Sequence, residues 1–482
     1  MGIESAFRDA RTGALLLTVW VAWSLAFVTG EVIPVNEGLG WDGVRFARMV
    51  EGGPSLLADR EINSYYVQRV GPSFAVRLIL QAQGVDLEAS SIRLGFVMWN
   101  LTLLSLAVVL LLDAAQRLAL SPASRWVLLL GLFLNPANGR LPIYYAPIGD
   151  STAFLLGSLI FWAYVARRQM VMAMAFLLAI VSWPAAFLLL PLLVWPRPDE
   201  ALTPVEPAHL SLFSTRLVMA VSLPLGLGLL ALLTRTVDMP DVAVWSRGTI
   251  LAVGTNAFQL GCVAGLLLAM TLCNRARVFS RPSLLGLITA CALVGISVLY
   301  VRRFESGSLA FGSGTFVREI LLFTRSGAFG TLVGHAAYYS SLAVAAMALW
   351  PRVLGAGLSL GPGAFFSLGL SGLVALDAES RRLNAFWPLV GFLTVLVLDS
   401  AWSSRARVIA FVAIALAMSK LWWPMVGPAL FSAKHEPGNY FNTQGPSMSG
   451  DAYLVHALAT LAFGLFVRFG CAPGPGPEPE PS

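Results

Sequence analysis

The sequence has little charge. Charged residues make up 12% of its 482 residues and hydrophobic residues 57%. Soluble domains average about 25% charged residues, and a chain of this size could not bury so much apolar surface in one globule. Mean hydropathy is +0.74. The composition therefore excludes a soluble enzyme, a nucleic-acid reader and a disordered chain, and it predicts an integral membrane protein with no nucleic-acid partner.

Lysine, cysteine and histidine are also scarce. Only Lys420 and Lys434 are lysines among the 32 basic residues. This excess of arginine is typical of a GC-rich coding genome, and it also suits bidentate phosphate binding. The four cysteines form no Cys-x-x-Cys pair and no cluster with histidine, so we expect neither a disulfide framework nor a structural zinc site.

Apolar segments recur along the whole chain. A spanning helix needs about 20 apolar residues, and the stretch 170–195 is interrupted at Ser182-Trp183-Pro184. We predict an all-α polytopic membrane protein with about 12–14 transmembrane helices. Residues 1–470 form one transmembrane domain in this prediction, and 471–482 form a disordered cytoplasmic tail. The other predicted spans are 13–30, 94–112, 126–136, 151–165, 217–234, 249–272, 283–301, 328–350, 355–376, 386–401, 408–425 and 453–467.

The distribution of arginine predicts the orientation of the chain. With a cytoplasmic N-terminus, fifteen Lys and Arg residues fall on cytoplasmic segments and five on short outer loops, as the positive-inside rule requires. Both termini are then cytoplasmic, in a plasma membrane or a bacterial inner membrane. The long, polar segments all lie on the outer side, so we expect the protein to act there.

The longest of these segments is residues 31–93, the predicted first outer loop. Amphipathic spacing predicts helices at 42–50 and 65–80, which either lie in the membrane interface or form an ordinary folded loop. The loop begins with three carboxylates, Glu31, Glu37 and Asp42, separated by glycines that let a backbone approach a ligand closely. Asp42 is a candidate catalytic base, and helix capping is the alternative interpretation.

A second acidic candidate follows in Tyr144-Tyr145-Ala-Pro-Ile-Gly-Asp150. Asp150 opens an apolar helix, where it could cap the helix or flank a substrate together with Asp42. In the latter case one carboxylate would act as general base and the other would hold a metal or a sugar hydroxyl. Tyr144 and Tyr145 are candidate substrate-binding residues beside it.

An arginine pair, Arg381-Arg382, lies between two apolar helices on the outer side. Its guanidinium groups suit phosphate, whereas ion pairs with Asp377 or Glu379, or snorkelling to headgroups, are the alternatives. The polar segment around His435 could cover a substrate or simply connect two helices.

Taken together, these features resemble the GT-C superfamily of integral-membrane glycosyltransferases. The resemblance rests on acidic residues just after the first helix (Glu37 and Asp42), interfacial helices in the long first outer loop, and Asp150 at the start of a later helix. It rests also on the arginine pair before a helix that begins near Pro388. The resemblance implies a GT-C-like fold.

The resemblance also implies an activity. Such enzymes move a sugar, a hexose or a pentose, from a polyprenyl-phosphate donor to an acceptor at the outer membrane face. It suggests Asp42 as the base of an inverting transfer, with Glu37 or Asp150 as its partner. Arg381 or Arg382 would offset the charge of the leaving phosphate. A divalent metal (Mg or Mn) is compatible with this mechanism but not required.

Two other functions fit the same composition. A transporter, flippase or polymerase of lipid-linked saccharides would carry internal repeats or polar groups along a central path, and we find no obvious repeat and few polar residues inside the spans. A membrane scaffold without enzymatic activity would let the outer carboxylates diverge. Only a shared site would bring Asp42 and Asp150 together.

Overall fold

The computed structural model describes residues 10–28, 30–198, 218, 221–229, 231, 247–305, 329–377, 379–399, 405–421 and 450–471. Within these ranges the chain is all-helical and contains no strand, which confirms the predicted α-helical class. The predicted span 217–234 lies partly outside the described residues, and the segment around His435 and nearly all of the predicted tail lie outside them.

Helices in the first half of the chain follow the predicted segments. Their bounds are Ala10–Val28, Gly40–Gly52, Ser55–Ala58, Ser64–Val67, Val70–Ala82, Ala89–Arg117, Pro122–Phe133, Leu141–Tyr144, Asp150–Val165, Gln169–Ile180 and Pro191–Val194. The predicted interruption near Trp183 is confirmed, because one helix ends at Ile180 and the chain resumes as a 3-10 turn at Pro184–Leu189.

Helices in the second half are more often broken than the sequence suggests. Their bounds are Arg247–Cys273, Arg275–Val278, Leu284–Phe304, Gly330–Tyr339, Ser341–Ala348, Trp350–Leu360, Pro362–Val374, Trp387–Asp399, Arg405–Ser419 and Gly450–Leu465. The predicted spans 328–350 and 355–376 are each interrupted. Ser340 and Gly361 take positive φ angles of 59° and 129°, which end a right-handed helix.

Four of the described helices are long and apolar enough to cross a membrane. They are Ala89–Arg117, Val253–Cys273, Leu284–Phe304 and Ala452–Gly470, and a fifth span results if the pair Ser341–Ala348 and Trp350–Leu360, bent by 86°, crosses as one. These helices are compatible with a membrane protein. The larger number of 12–14 transmembrane helices stays a prediction.

The exposed apolar surface is also compatible with a membrane protein. Only 17% of the most apolar window of Leu284–Phe304 is buried inside the protein, and Leu284 and Leu299 are 72% and 68% exposed. A helix that presents so many large apolar side chains outwards needs an apolar surrounding or a partner. A bilayer provides that surrounding.

The loop 31–93 departs from its prediction at one point. The sequence predicts one helix over 65–80, whereas the structure has two, which are separated at Gln68 and Arg69. Pro72 has no N–H to bond to the preceding turn, so the first helix cannot continue through it. Gly71 N–H donates instead to the carbonyl oxygen of Val181 at 2.7 Å, and this contact fixes the position of Arg69.

The helix Asp150–Val165 brings the two halves of the chain together. It packs against Ala89–Arg117 and against Trp387–Asp399. At Gly157 its surface has no side chain, and a Cβ there would collide with the carbonyl of Ala385. The segment that carries the arginine pair can therefore lie directly on the helix that begins with Asp150.

Candidate functional site

Asp42 is held at both of its carboxylate oxygens. The Tyr66 hydroxyl donates to Oδ1 at 3.1 Å, and Arg381 Nη2 lies 3.4 Å from Oδ2. The backbone N–H of Asp42 donates to the Tyr145 hydroxyl at 2.8 Å. The Asp42 side chain is still 32% exposed, so a ligand can reach the carboxylate. The cap position of this helix is occupied by Leu39, so Asp42 is not the capping residue.

The arginine pair forms ion pairs with nearby carboxylates. Arg382 Nη1 lies 2.5 Å from Asp377 Oδ2, and its Nε lies 3.2 Å from Glu379 Oε2. Arg381 Nη2 lies 3.2 Å from Glu379 Oε1, in addition to its contact with Asp42. Burial raises the pKa of Glu379, but the charges of Arg381 and Arg382 outweigh this effect and hold the pKa below its ordinary value.

Polar and aromatic contacts hold the backbone that presents the arginine pair. The turn Ser380–Leu383 lies against the helix that contains His335 and Tyr339. His335 Nδ1 lies 2.8 Å from Ser380 Oγ, and the Tyr339 hydroxyl donates to the Ser380 carbonyl at 2.8 Å. The Tyr339 ring also stacks on Trp387, with ring centroids 4.3 Å apart. These contacts fix the turn relative to the helices around it.

Asp150 is the first residue of its helix and is only 4% exposed. Its Oδ2 accepts a 2.8 Å hydrogen bond from the Tyr338 hydroxyl, and its buried Oδ1 has no hydrogen-bond partner among the described residues. The N-cap residue of this helix is Gly149, so Asp150 does not serve as the cap. Burial raises the pKa of Asp150, and the charges of Arg381 and Arg69 oppose that shift.

Arg381 connects the two acidic residues that the sequence singled out. Burial lowers the pKa of Arg381. The negative charges of Glu379, Asp150 and Asp42 outweigh this effect and raise the pKa above its ordinary value. Asp42 and Asp150 therefore act on the same guanidinium group, although they come from different parts of the chain.

Arg69 belongs to the same cluster and was not among the residues that the sequence singled out. Its guanidinium carbon lies 4.0 Å from the ring centroid of Tyr65 and 4.2 Å from that of Trp183, so two aromatic side chains flank it. Its Nη1 donates to the Tyr65 hydroxyl at 2.7 Å, whereas its buried Nε has no hydrogen-bond partner in the described part of the chain. Burial lowers the pKa of Arg69 and the nearby charge of Arg381 lowers it further, whereas Tyr65, Asp150 and Glu379 act in the opposite direction.

A polar cavity of about 420 Å³ opens beside Arg69. Its wall comes from four separate segments of the chain, and it includes Arg69, Arg382, Gln68, Trp183 and Glu305. A volume of this size is in the range of small-ligand sites, about 300–1,000 Å³. The cavity adjoins the turn that contains Arg381, because Arg382, the next residue, lines it.

A second, apolar cavity of about 300 Å³ adjoins the turn that carries the arginine pair. Leu383 and Trp387 line it, together with side chains of the predicted spans such as Val263, Leu266 and Met347. This cavity can take a hydrocarbon chain but offers few partners to a polar ligand.

Three of the predicted residues lie apart from the Asp42–Arg381 contact or outside the described structure. Glu37 is exposed at a positive φ of 56°, and its side chain makes no hydrogen bond or ion pair with a described residue. Tyr144 is buried near Glu31; burial and then that charge raise the pKa of Tyr144 to about 12. His435 lies outside the described residues.

Tyr145, in contrast, contacts Asp42. Burial and the Asp42 charge raise its pKa to about 12, so its hydroxyl is protonated at neutral pH.

The resemblance is compatible with a bound Mg or Mn but does not require one. In the described part of the chain, no group of three or more His, Cys, Asp and Glu side chains is placed to hold a metal ion.

No protein-family model, no curated protein and no solved structure matches this chain. The function of the site must therefore follow from the residues that form it.

Proposed function

We propose that this protein is a membrane glycosyltransferase that moves a sugar from a polyprenyl-phosphate donor to an acceptor at the outer membrane face. The observation that carries the proposal is the Asp42 carboxylate. It is accessible, held at both oxygens by Tyr66 and Arg381, and placed beside a polar cavity. A general base needs a fixed orientation together with access for the proton that it removes.

In the proposed reaction Asp42 takes the proton of the acceptor hydroxyl. The acceptor oxygen forms a bond to the anomeric carbon of the sugar, and the bond from that carbon to the phosphate oxygen breaks. The lipid phosphate leaves with the electron pair of the broken bond, and the configuration of the sugar inverts. Asp42 ends the step protonated, and the new negative charge lies on the phosphate.

Asp150 acts in this proposal without touching the sugar. At 4% exposure it cannot reach a hydroxyl in the cavity, so its part is to hold Tyr338 and to act electrostatically on Arg381 and Arg69. Arg381 orients Asp42 in turn. Glu37 has no part, because its side chain lies exposed and away from the cluster. No step in the proposal passes through a metal ion.

The lipid character of the donor is supported by the second cavity. Arg382 lines the polar cavity and Leu383, the next residue, lines the apolar one, so an amphipathic molecule could place its headgroup in the first and its chain in the second. A donor with a long hydrocarbon chain and an anionic headgroup has this chemistry.

The test is sugar transfer by the purified full chain in proteoliposomes, with a panel of radiolabelled polyprenyl-phosphate hexoses and pentoses and a membrane extract as acceptor. General-base catalysis contributes about 100- to 10,000-fold, so Asp42→Asn should reduce transfer by at least about 100-fold. Asp59→Asn is the matched control, because Asp59 is an exposed aspartate of the same loop. Full transfer by Asp42→Asn would remove Asp42 as the base. Movement of the lipid across the bilayer without transfer of its sugar would favour a transporter.

A further inference from the structure

Arg69 differs from the two arginines of the predicted pair. Arg381 and Arg382 each contact two carboxylates within 4 Å. Arg69 forms no ion pair with a described residue, and its partners are the hydroxyl of Tyr65 and two aromatic rings. A guanidinium group in a partly buried site is costly unless an anion or hydrogen-bond acceptors surround it.

We propose that the cavity between Arg69 and Arg382 is a phosphoryl-binding site and that Arg69 is its principal ligand. If the proposed function holds, the phosphoryl group is that of the lipid donor, so this identification rests on the proposed function. The proposal that the cavity binds a phosphoryl group does not depend on the proposed function. The planar guanidinium donates parallel hydrogen bonds that match phosphate oxygens.

The aromatic flanks suit this purpose. Tyr65 and Trp183 hold the guanidinium plane between them, and the bond from Nη1 to the Tyr65 hydroxyl fixes its rotation. A cation that is oriented before its ligand arrives loses less conformational entropy on binding. The cavity of about 420 Å³ leaves room for a phosphoryl group with part of a sugar ring.

The position of the cavity also agrees with the chemistry of displacement. Tyr65 contacts Arg69, while its neighbour Tyr66 contacts Asp42, and the two rings meet edge to face at 4.9 Å. The base and the phosphoryl site are therefore contacted by neighbouring residues of one short helix. A displacement requires the base and the site of the leaving group to lie near the same sugar carbon.

In this arrangement the three arginines have different roles. Arg381 already contacts Asp42 and Glu379, so in this proposal it is a positioning residue for the base and does not bind phosphate. Arg382 lines the cavity and adds charge at its edge, while its Asp377 and Glu379 contacts hold it in place.

The test measures binding in the absence of an acceptor, so that no catalysis is needed. The full chain is reconstituted in neutral nanodiscs and titrated with a polyprenyl monophosphate. Hydrogen bonds to charged groups are worth enough that Arg69→Gln should weaken binding by about 10- to 100-fold. The matched control is Arg48→Gln, which removes an exposed arginine of the same loop and should leave binding unchanged.

A second variant covers the case in which Arg69→Gln fails to fold. Ala185 lines the cavity and is partly exposed, so Ala185→Trp fills the cavity without removing a polar group. It should also weaken binding by at least about 10-fold, as expected when a bulky side chain occupies a ligand pocket. Unchanged binding in Ala185→Trp, or in a folded Arg69→Gln protein, would overturn the proposal.

Separate titrations distinguish the sources of phosphate. Competition by inorganic phosphate at the same concentration as the lipid would assign the site to a free phosphoryl group, whereas competition only by polyprenyl phosphate assigns it to the lipid headgroup. Loss of transfer in Asp42→Asn with intact phosphate binding in Arg69→Gln would refute this inference and leave the proposed function standing.

Discussion

Removal of Arg381 should destabilise the protein far more than removal of an exposed arginine of the loop 31–93. Arg381 is 15% exposed and contacts Asp42 and Glu379, which are 32% and 30% exposed. Removing one member of a fully buried ion pair costs about 3–5 kcal/mol, and an exposed pair is worth about 0–1 kcal/mol. Because solvent still screens both carboxylates in part, we expect Arg381→Gln to cost about 2–3 kcal/mol.

The assay is equilibrium unfolding of the full chain in mixed micelles, followed by tryptophan fluorescence and circular dichroism. Arg48→Gln is the control, since it breaks an ion pair with Glu61 whose side chains are 66% and 46% exposed. It should cost less than about 1 kcal/mol. Arg381→Lys should lie between the two, because it keeps the charge and loses the planar fork. Equal unfolding free energies for Arg381→Gln and Arg48→Gln would refute the electrostatic account of this cluster.

The same variant should show a defined dependence on pH. The arginines hold the folded-state pKa of Glu379 below its ordinary value of 4.5. A carboxyl with a lowered pKa contributes stability above its unfolded-state pKa, and this contribution is lost as the pH falls through the folded-state pKa. The difference between wild type and Arg381→Gln should therefore be largest near neutral pH and shrink below pH 4.5. A difference that is constant down to strongly acidic pH would contradict this reasoning.

Two further predictions concern the loop 31–93. Tyr66→Phe removes the 3.1 Å hydrogen bond to Asp42 Oδ1. It should lower the kcat of sugar transfer by about 10-fold, which corresponds to the loss of one hydrogen bond to a charged group. An unchanged kcat would argue against Tyr66 as a positioning residue. Gly71→Val places a Cβ 2.7 Å from Ser182 Oγ and 3.0 Å from the Val181 carbonyl. It should cost about 1–3 kcal/mol in unfolding free energy, and no measurable cost would show that the contact near Arg69 is easily displaced.

Much of the helical framework could be predicted from the sequence, because apolar runs of spanning length are a direct signal. The breaks were harder to predict. The Ser-Trp-Pro interruption near Trp183 was recognisable, since proline cannot continue a helix. The break at Ser340 was not, because no proline or glycine stands at this positive-φ position.

Asp42, Asp150 and Arg381 were all recognisable as rare charged residues at the ends of apolar segments. That Asp42 and Asp150 flank one substrate was only a hypothesis, and the contact of Asp42 with Arg381 was not predicted, since residues 339 positions apart have no local signal of contact. Glu37 illustrates the opposite case. Its spacing resembled that of Asp42, but the 3-10 turn directs its side chain to the exterior.

The sequence pattern did not identify Arg69 as a binding residue, and the reason is physical. In the amphipathic pattern over 65–80 it takes the place of an ordinary polar residue on the exposed face of a helix, where arginine needs no explanation. The Gly-Pro pair two residues later is the signal that the helix ends before it. Once the helix breaks there, Arg69 moves from a helix face to the junction of two helices, and the close approach of Gly71 to Val181 brings it against Trp183. A charged residue next to a helix break in an apolar protein is therefore a stronger candidate for binding than its amphipathic position suggests, because such a break lets one side chain be held by two different segments.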